Sequence, residues 1–73
     1  MRWLDLSRTR GISSRYHLVD DQLNLLAILL FNTVTYVGIY RIVTNERRNK
    51  LIGKSEIEYI LAHPEEWYME SLL

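Results

Sequence analysis

Nineteen consecutive residues, Gln22 to Tyr40, carry no charged side chain. Asp20 and Asp21 stand before this run, and Arg41, Arg47, Arg48 and Lys50 stand at its end and beyond it. As an α-helix, with its rise of about 1.5 Å per residue, the run would reach roughly 28 Å, close to the ~30 Å hydrocarbon thickness of a bilayer. The first half, "LLAILLF", is as apolar as a membrane helix, and the threonines of "NTVTYVGIY" can bond to the carbonyls of their own helix. The run therefore predicts an all-α chain built on one transmembrane helix over residues 21–44, continuous from 23 to 43.

On a helical wheel the segment divides. Asn24, Ala27, Asn32, Thr35 and Gly38 fall on one side, and most of the leucines fall on the other. Small residues let backbones approach within a membrane, and amides bond across to a neighbour, so this stripe predicts a helix-packing face against larger subunits of a membrane complex. Tyr36, Tyr40 and Arg41, followed by Arg47, Arg48 and Lys50, predict a membrane interface in contact with lipids, anionic ones included. Five Lys or Arg residues follow the span, from Arg41 to Lys54, against three in the comparable stretch before it, which predicts a C-terminus on the matrix or cytoplasmic side.

A second reading rests on composition. "TVTYVGIYRIV" is rich in β-branched and aromatic residues, as strands are. It gives a small α/β interaction or regulatory domain with a helix over 21–31, a strand over 34–43 and a helical tail. A third reading is a free single-span regulator peptide.

The remaining segments are a basic arm over 1–20, a basic collar over 45–54 and an amphipathic helical tail over 55–73. The first 16 residues hold four arginines and three serines, the composition either of a mitochondrial targeting segment or of a solvated basic arm with Trp3, Leu4 and Leu6 resting on a surface. In the tail, Ser55 and Glu58 have capping-box spacing, and Pro64 ends one helix and suits the first turn of another. Ile57, Ile60, Leu61, Trp67, Met69, Leu72 and Leu73 give these pieces apolar surfaces and predict a docking tail.

A chain of 73 residues with no cysteine has neither disulfides nor a cysteine zinc site to support its small core, which points to a partner or a membrane. The net charge is zero, whereas nucleic-acid binders show a basic surface. The glycines are isolated, so no phosphate loop is present, and Ser13, Ser14 and His17 share only chain proximity. These absences predict a chain that is not an enzyme, with no cofactor, metal, nucleic acid or small-molecule substrate.

The stretch "TVTYVGIYRIVTNERRNK", where an aromatic-rich span end meets a run of arginine and lysine, resembles the small single-span accessory subunits of mitochondrial respiratory-chain complexes, such as those of NADH dehydrogenase and cytochrome c oxidase. The resemblance is one of composition and layout. It implies a structural subunit without a redox centre that stabilises or helps assemble an electron-transport complex. The implied location is the mitochondrial inner membrane, with a bacterial plasma membrane as the alternative.

Overall fold

A computed structural model of the chain describes residues 1–8, 11–44 and 49–73. The uncharged run is not one helix. It holds the central strand of a sheet, a tight turn and most of the next strand. The strands are β1 (Arg2–Asp5), β2 (Ser13–Val19), β3 (Leu25–Asn32), β4 (Gly38–Ile42) and β5 (Lys50–Ile52), followed by helices α1 (Lys54–Ala62) and α2 (Pro64–Ser71). The five strands form an antiparallel meander in chain order.

Two side-chain-to-backbone clusters turn the chain. At the β2–β3 turn, Asp20 accepts hydrogen bonds from the Gln22 and Asn24 amides at 2.9 Å each and from the Asn24 side-chain amide at 3.0 Å. At the β3–β4 turn, Asn32 Oδ1 accepts from the amides of Val34 at 2.8 Å and Thr35 at 3.0 Å. Short side-chain carbonyls of this kind compete with helix for backbone donors, which is why Asn and Asp favour turns. Asn32 thus breaks the run that a membrane helix would need unbroken.

The two faces of the sheet differ. Alternate residues Ala27, Leu29 and Phe31 of β3 are buried, and so are their cross-strand partners Leu18, Tyr40 and Ile42. Together with Ile52 they meet Ile57, Ile60 and Tyr68 of the two helices. Trp3 ties β1 to α1 by donating its indole N–H to the Ile60 carbonyl at 3.0 Å. Gly38, opposite Phe31, lets β4 approach β3 closely. A Cβ there would strike the Leu30 carbonyl oxygen and lie 2.5 Å from Phe31 Cβ.

These observations correct the all-α expectation. No described helix is long and apolar enough to cross a membrane. The transmembrane helix over 21–44, the role as a single-pass respiratory-complex subunit and the inner-membrane or plasma-membrane placement, which all depended on that helix, are withdrawn. The α/β reading comes closer, although residues 25–31 are strand rather than helix. The tail holds two helices that meet at His63–Pro64. α1 begins one residue before Ser55, with Gly53 as its N-cap and the Glu56 carboxylate accepting from the Gly53 amide at 3.4 Å.

Candidate interaction surface on the open sheet face

The side chains of β3 that point away from the helices are apolar as well. Cross-strand register assembles them into two rows. One runs Leu4, His17, Ile28, Arg41, and the other runs Arg15, Leu30, Ile39, Leu51. Leu4, Ile28, Leu30 and Ile39 are half-buried by their neighbours, whereas Leu51 is 77% exposed. No described helix covers this face. An antiparallel sheet with one wet face alternates apolar and polar residues, and an unbroken apolar strand is the mark of a sheet buried on both sides. "LLAILLF" is such a strand, with one face covered by α1 and α2 and the other open.

At one end of the face lies an open depression of about 840 Å³, whose lining includes Leu6, Ser13, Arg15, Leu30, Ile39 and Leu51. Charge on the face has one sign. Arg2, Arg15 and Arg41 occupy outward strand positions, and none of the described outward strand positions is acidic. The acidic residues of the tail, Glu56, Glu58, Glu65, Glu66 and Glu70, lie on the helices on the opposite side of the sheet. Arg15 donates from Nε to His17 Nε2 at 3.0 Å. His17 therefore acts as an acceptor through that nitrogen. Burial first, and then the Arg15 charge, hold its pKa below the ordinary imidazole value.

The chain matches no protein-family model, no curated protein and no solved structure. Nothing in these comparisons bears on the likeness to respiratory-chain accessory subunits.

The residues expected to form one helix-packing stripe are dispersed. Asn24 is exposed in the β2–β3 turn, Asn32 and Thr35 belong to the β3–β4 turn, and Ala27 and Gly38 face the helices. Strand geometry is the cause: successive side chains alternate at 180°, so positions that share a helical face at 100° do not share a sheet face. The residues expected at a membrane interface also part company. Tyr40 is a core residue, 1% exposed. Tyr36 sits in the β3–β4 turn at φ 53°, stacked on Phe31 with ring centroids 6.1 Å apart. Arg41 reaches the open face, and Lys50 pairs with Glu56 at 3.2 Å. Arg47 and Arg48 lie outside the described residues.

In the tail, Ile57 and Ile60 are buried against the chain's own sheet, and Leu61 and Trp67 pack beside them. Met69, Leu72 and Leu73 are exposed. Among the described residues no cluster of three or more His, Asp or Glu side chains could hold a metal ion. Sequence reasoning missed Leu4, Arg15, His17, Ile28, Leu30, Ile39 and Leu51 as a surface. The signal that could have found them is the lack of alternation in β3, read as strand.

Proposed function

We propose that this chain is a non-catalytic protein-interaction module whose open sheet face docks an acidic amphipathic segment of a partner protein. The observation that carries the reading is the central strand, apolar on both faces but covered on only one. A partner that covers Ile28, Leu30 and Ile39 would remove contiguous apolar surface from water, the main favourable contribution to association. Charge selects the kind of partner. Carboxylates on its rim would meet Arg15 and Arg41, and such complementarity steers encounter and rejects basic competitors. A second copy presenting the same face is disfavoured, because it would bring arginines against arginines. The depression calls for a convex occupant, such as a helix, rather than a planar lipid surface.

The test uses two synthetic helical peptides with the same leucine face, one with glutamate and one with lysine on the polar face. Amide resonances of the ¹⁵N-labelled chain are followed during titration, with anionic phosphatidylglycerol vesicles in a parallel arm. The glutamate peptide is expected to shift His17, Ile28 and Ile39, to leave Ile57 and Ile60 in place, and to weaken with salt. Equal binding of both peptides, binding of neither, or binding of the vesicles alone would overturn the reading.

A further inference from the structure

Among the described residues, two buried side-chain polar atoms have no hydrogen-bond partner, Tyr40 Oη and Trp67 Nε1. Their residues are neighbours, with rings edge to face at a centroid distance of 6.1 Å. Both line the same cavity, of about 260 Å³, together with Lys50, Glu70 and Ser71. Buried polar groups are nearly always hydrogen-bonded, since each one left alone costs about 1–3 kcal/mol. Two such groups on one cavity indicate a missing partner rather than two independent defects.

The chemistry of that partner follows from the lining. Indole N–H can only donate, and the phenol can donate, so the ligand must offer an acceptor. One carbonyl oxygen has two lone pairs and can take both bonds. Ser71 lies close enough to the Tyr40 hydroxyl to temper the upward push of burial on its pKa, but without hydrogen-bonding geometry. The Ser71 hydroxyl donates instead to the Tyr68 carbonyl at 2.8 Å.

Charge excludes an anionic acceptor. The Lys50 ammonium already meets Glu56 at 3.2 Å and lies over the Trp67 ring, 5.1 Å from its centroid. An incoming carboxylate would add a third negative group beside Glu56 and Glu70, with a single ammonium to balance them. A carboxamide suits the lining better. Its oxygen accepts from Trp67 and Tyr40, its NH₂ can donate to Glu70, and a flat apolar body can lie along the aromatic edges. The volume, just below the ~300–1,000 Å³ of drug-sized sites, limits the ligand to a small one.

We propose that the cavity between β4, β5 and α2 is a binding site for a small carboxamide ligand, held by Tyr40 and Trp67 as paired donors. This site is on the helix side of the sheet and does not depend on the docking face.

Benzamide and its charged isostere benzoate test the idea. The chain has two tryptophans, and Trp3 Nε1 is bonded to the Ile60 carbonyl, so its indole resonance is an internal control. Benzamide is expected to move the Trp67 indole N–H signal downfield and leave that of Trp3 in place, with benzoate at least tenfold weaker. Tyr40→Phe removes one donor while keeping the ring and should weaken benzamide at least fivefold, with the Trp3 signal unchanged as proof of fold. Glu70→Gln, a surface change, should narrow the difference between benzamide and benzoate. A Trp67 signal that ignores both compounds and shows only exchange with bound water overturns the proposal, as does a preference for benzoate. Unchanged benzamide binding by Tyr40→Phe overturns it as well.

Discussion

Two residues take up backbone conformations that their side chains disfavour. Leu23 lies at φ 64° and Tyr36 at φ 53°, and neither is a glycine. The left-handed region costs an L-residue roughly 1–2 kcal/mol. Tyr36 gains a stacked contact with Phe31 in return, whereas the Leu23 side chain is 61% exposed. Leu23→Gly should therefore raise stability by on the order of 0.5–1 kcal/mol, after the added freedom of the unfolded glycine is subtracted. A urea midpoint at or below that of the parent chain would contradict this. Gly38 is the opposite case. Gly38→Ala drives a methyl group into the Leu30 carbonyl and the Phe31 backbone, where no flexible side chain end can give way. A loss of about 1–3 kcal/mol is expected.

His17 adds a pH dependence whose sign is fixed by its surroundings. The folded state lowers its pKa through burial and the nearby Arg15 charge. The neutral form is favoured on folding, so the contribution is complete above the unfolded value of about 6.5 and is lost as pH falls from there through the folded pKa. The carboxylates of Asp5 and Asp20, held low by hydrogen bonds from Ser7 and from Asn24, begin to withdraw their contributions only below the ordinary carboxylate range. Between pH 7.5 and 5.5 the urea midpoint of the parent chain should fall, and that of His17→Gln should fall less. Parallel falls would show that another group carries the acid sensitivity.

At the scale of elements, the tail was readable and the centre was not. Pro64 cannot continue α1 but fits the start of α2, and that constraint acts within a few residues of chain. β3 offered no local rule of that kind. Leu25 to Phe31 is apolar at every position, so it has neither the period of a helix nor that of a strand, and length alone favoured the helix. What decided the matter was turn chemistry at Asp20 and Asn32, each of which could also have been a polar residue within a span. The strand composition of residues 34–43 was visible, and Gly38–Ile42 does form β4. The open face was hidden for the same reason: its rows join residues from five strands, and register is settled only by folding.

The helices also depend on the sheet. α1 has nine residues and α2 eight, short of the ~12–15 at which isolated helices become even marginal in water. A peptide of residues 53–73 should show little helix by circular dichroism. Strong helicity in the isolated peptide would mean that the tail folds first and templates the sheet.

For the molecule as a whole, the decisive contrast lies between two adjacent leucines of β3. The Cα radius of gyration is 11.6 Å, near the roughly 11 Å expected of a compact chain of this length. The chain therefore closes its own core, and the open face is surplus to that closure. Leu29 is fully buried under the helices, while Leu30 looks out between Arg15 and Ile39. Leu29→Ala should cost about 2–5 kcal/mol, the range for a buried leucine truncated to alanine. Leu30→Ala should cost less than half as much, because its side chain has neighbours on one side only. Since 1 kcal/mol moves the Tm of a domain this small by roughly 4–8 °C, thermal melts separate the two outcomes clearly. Binding should rank them the other way. Leu30→Ala, still folded, should lose affinity for the acidic amphipathic peptide, and Leu29→Ala, assayed below its Tm, should keep it. If the two variants melt together, the sheet is buried equally on both faces and has no face to offer a partner. If they melt apart but bind alike, the covered core is as described and the partner docks elsewhere.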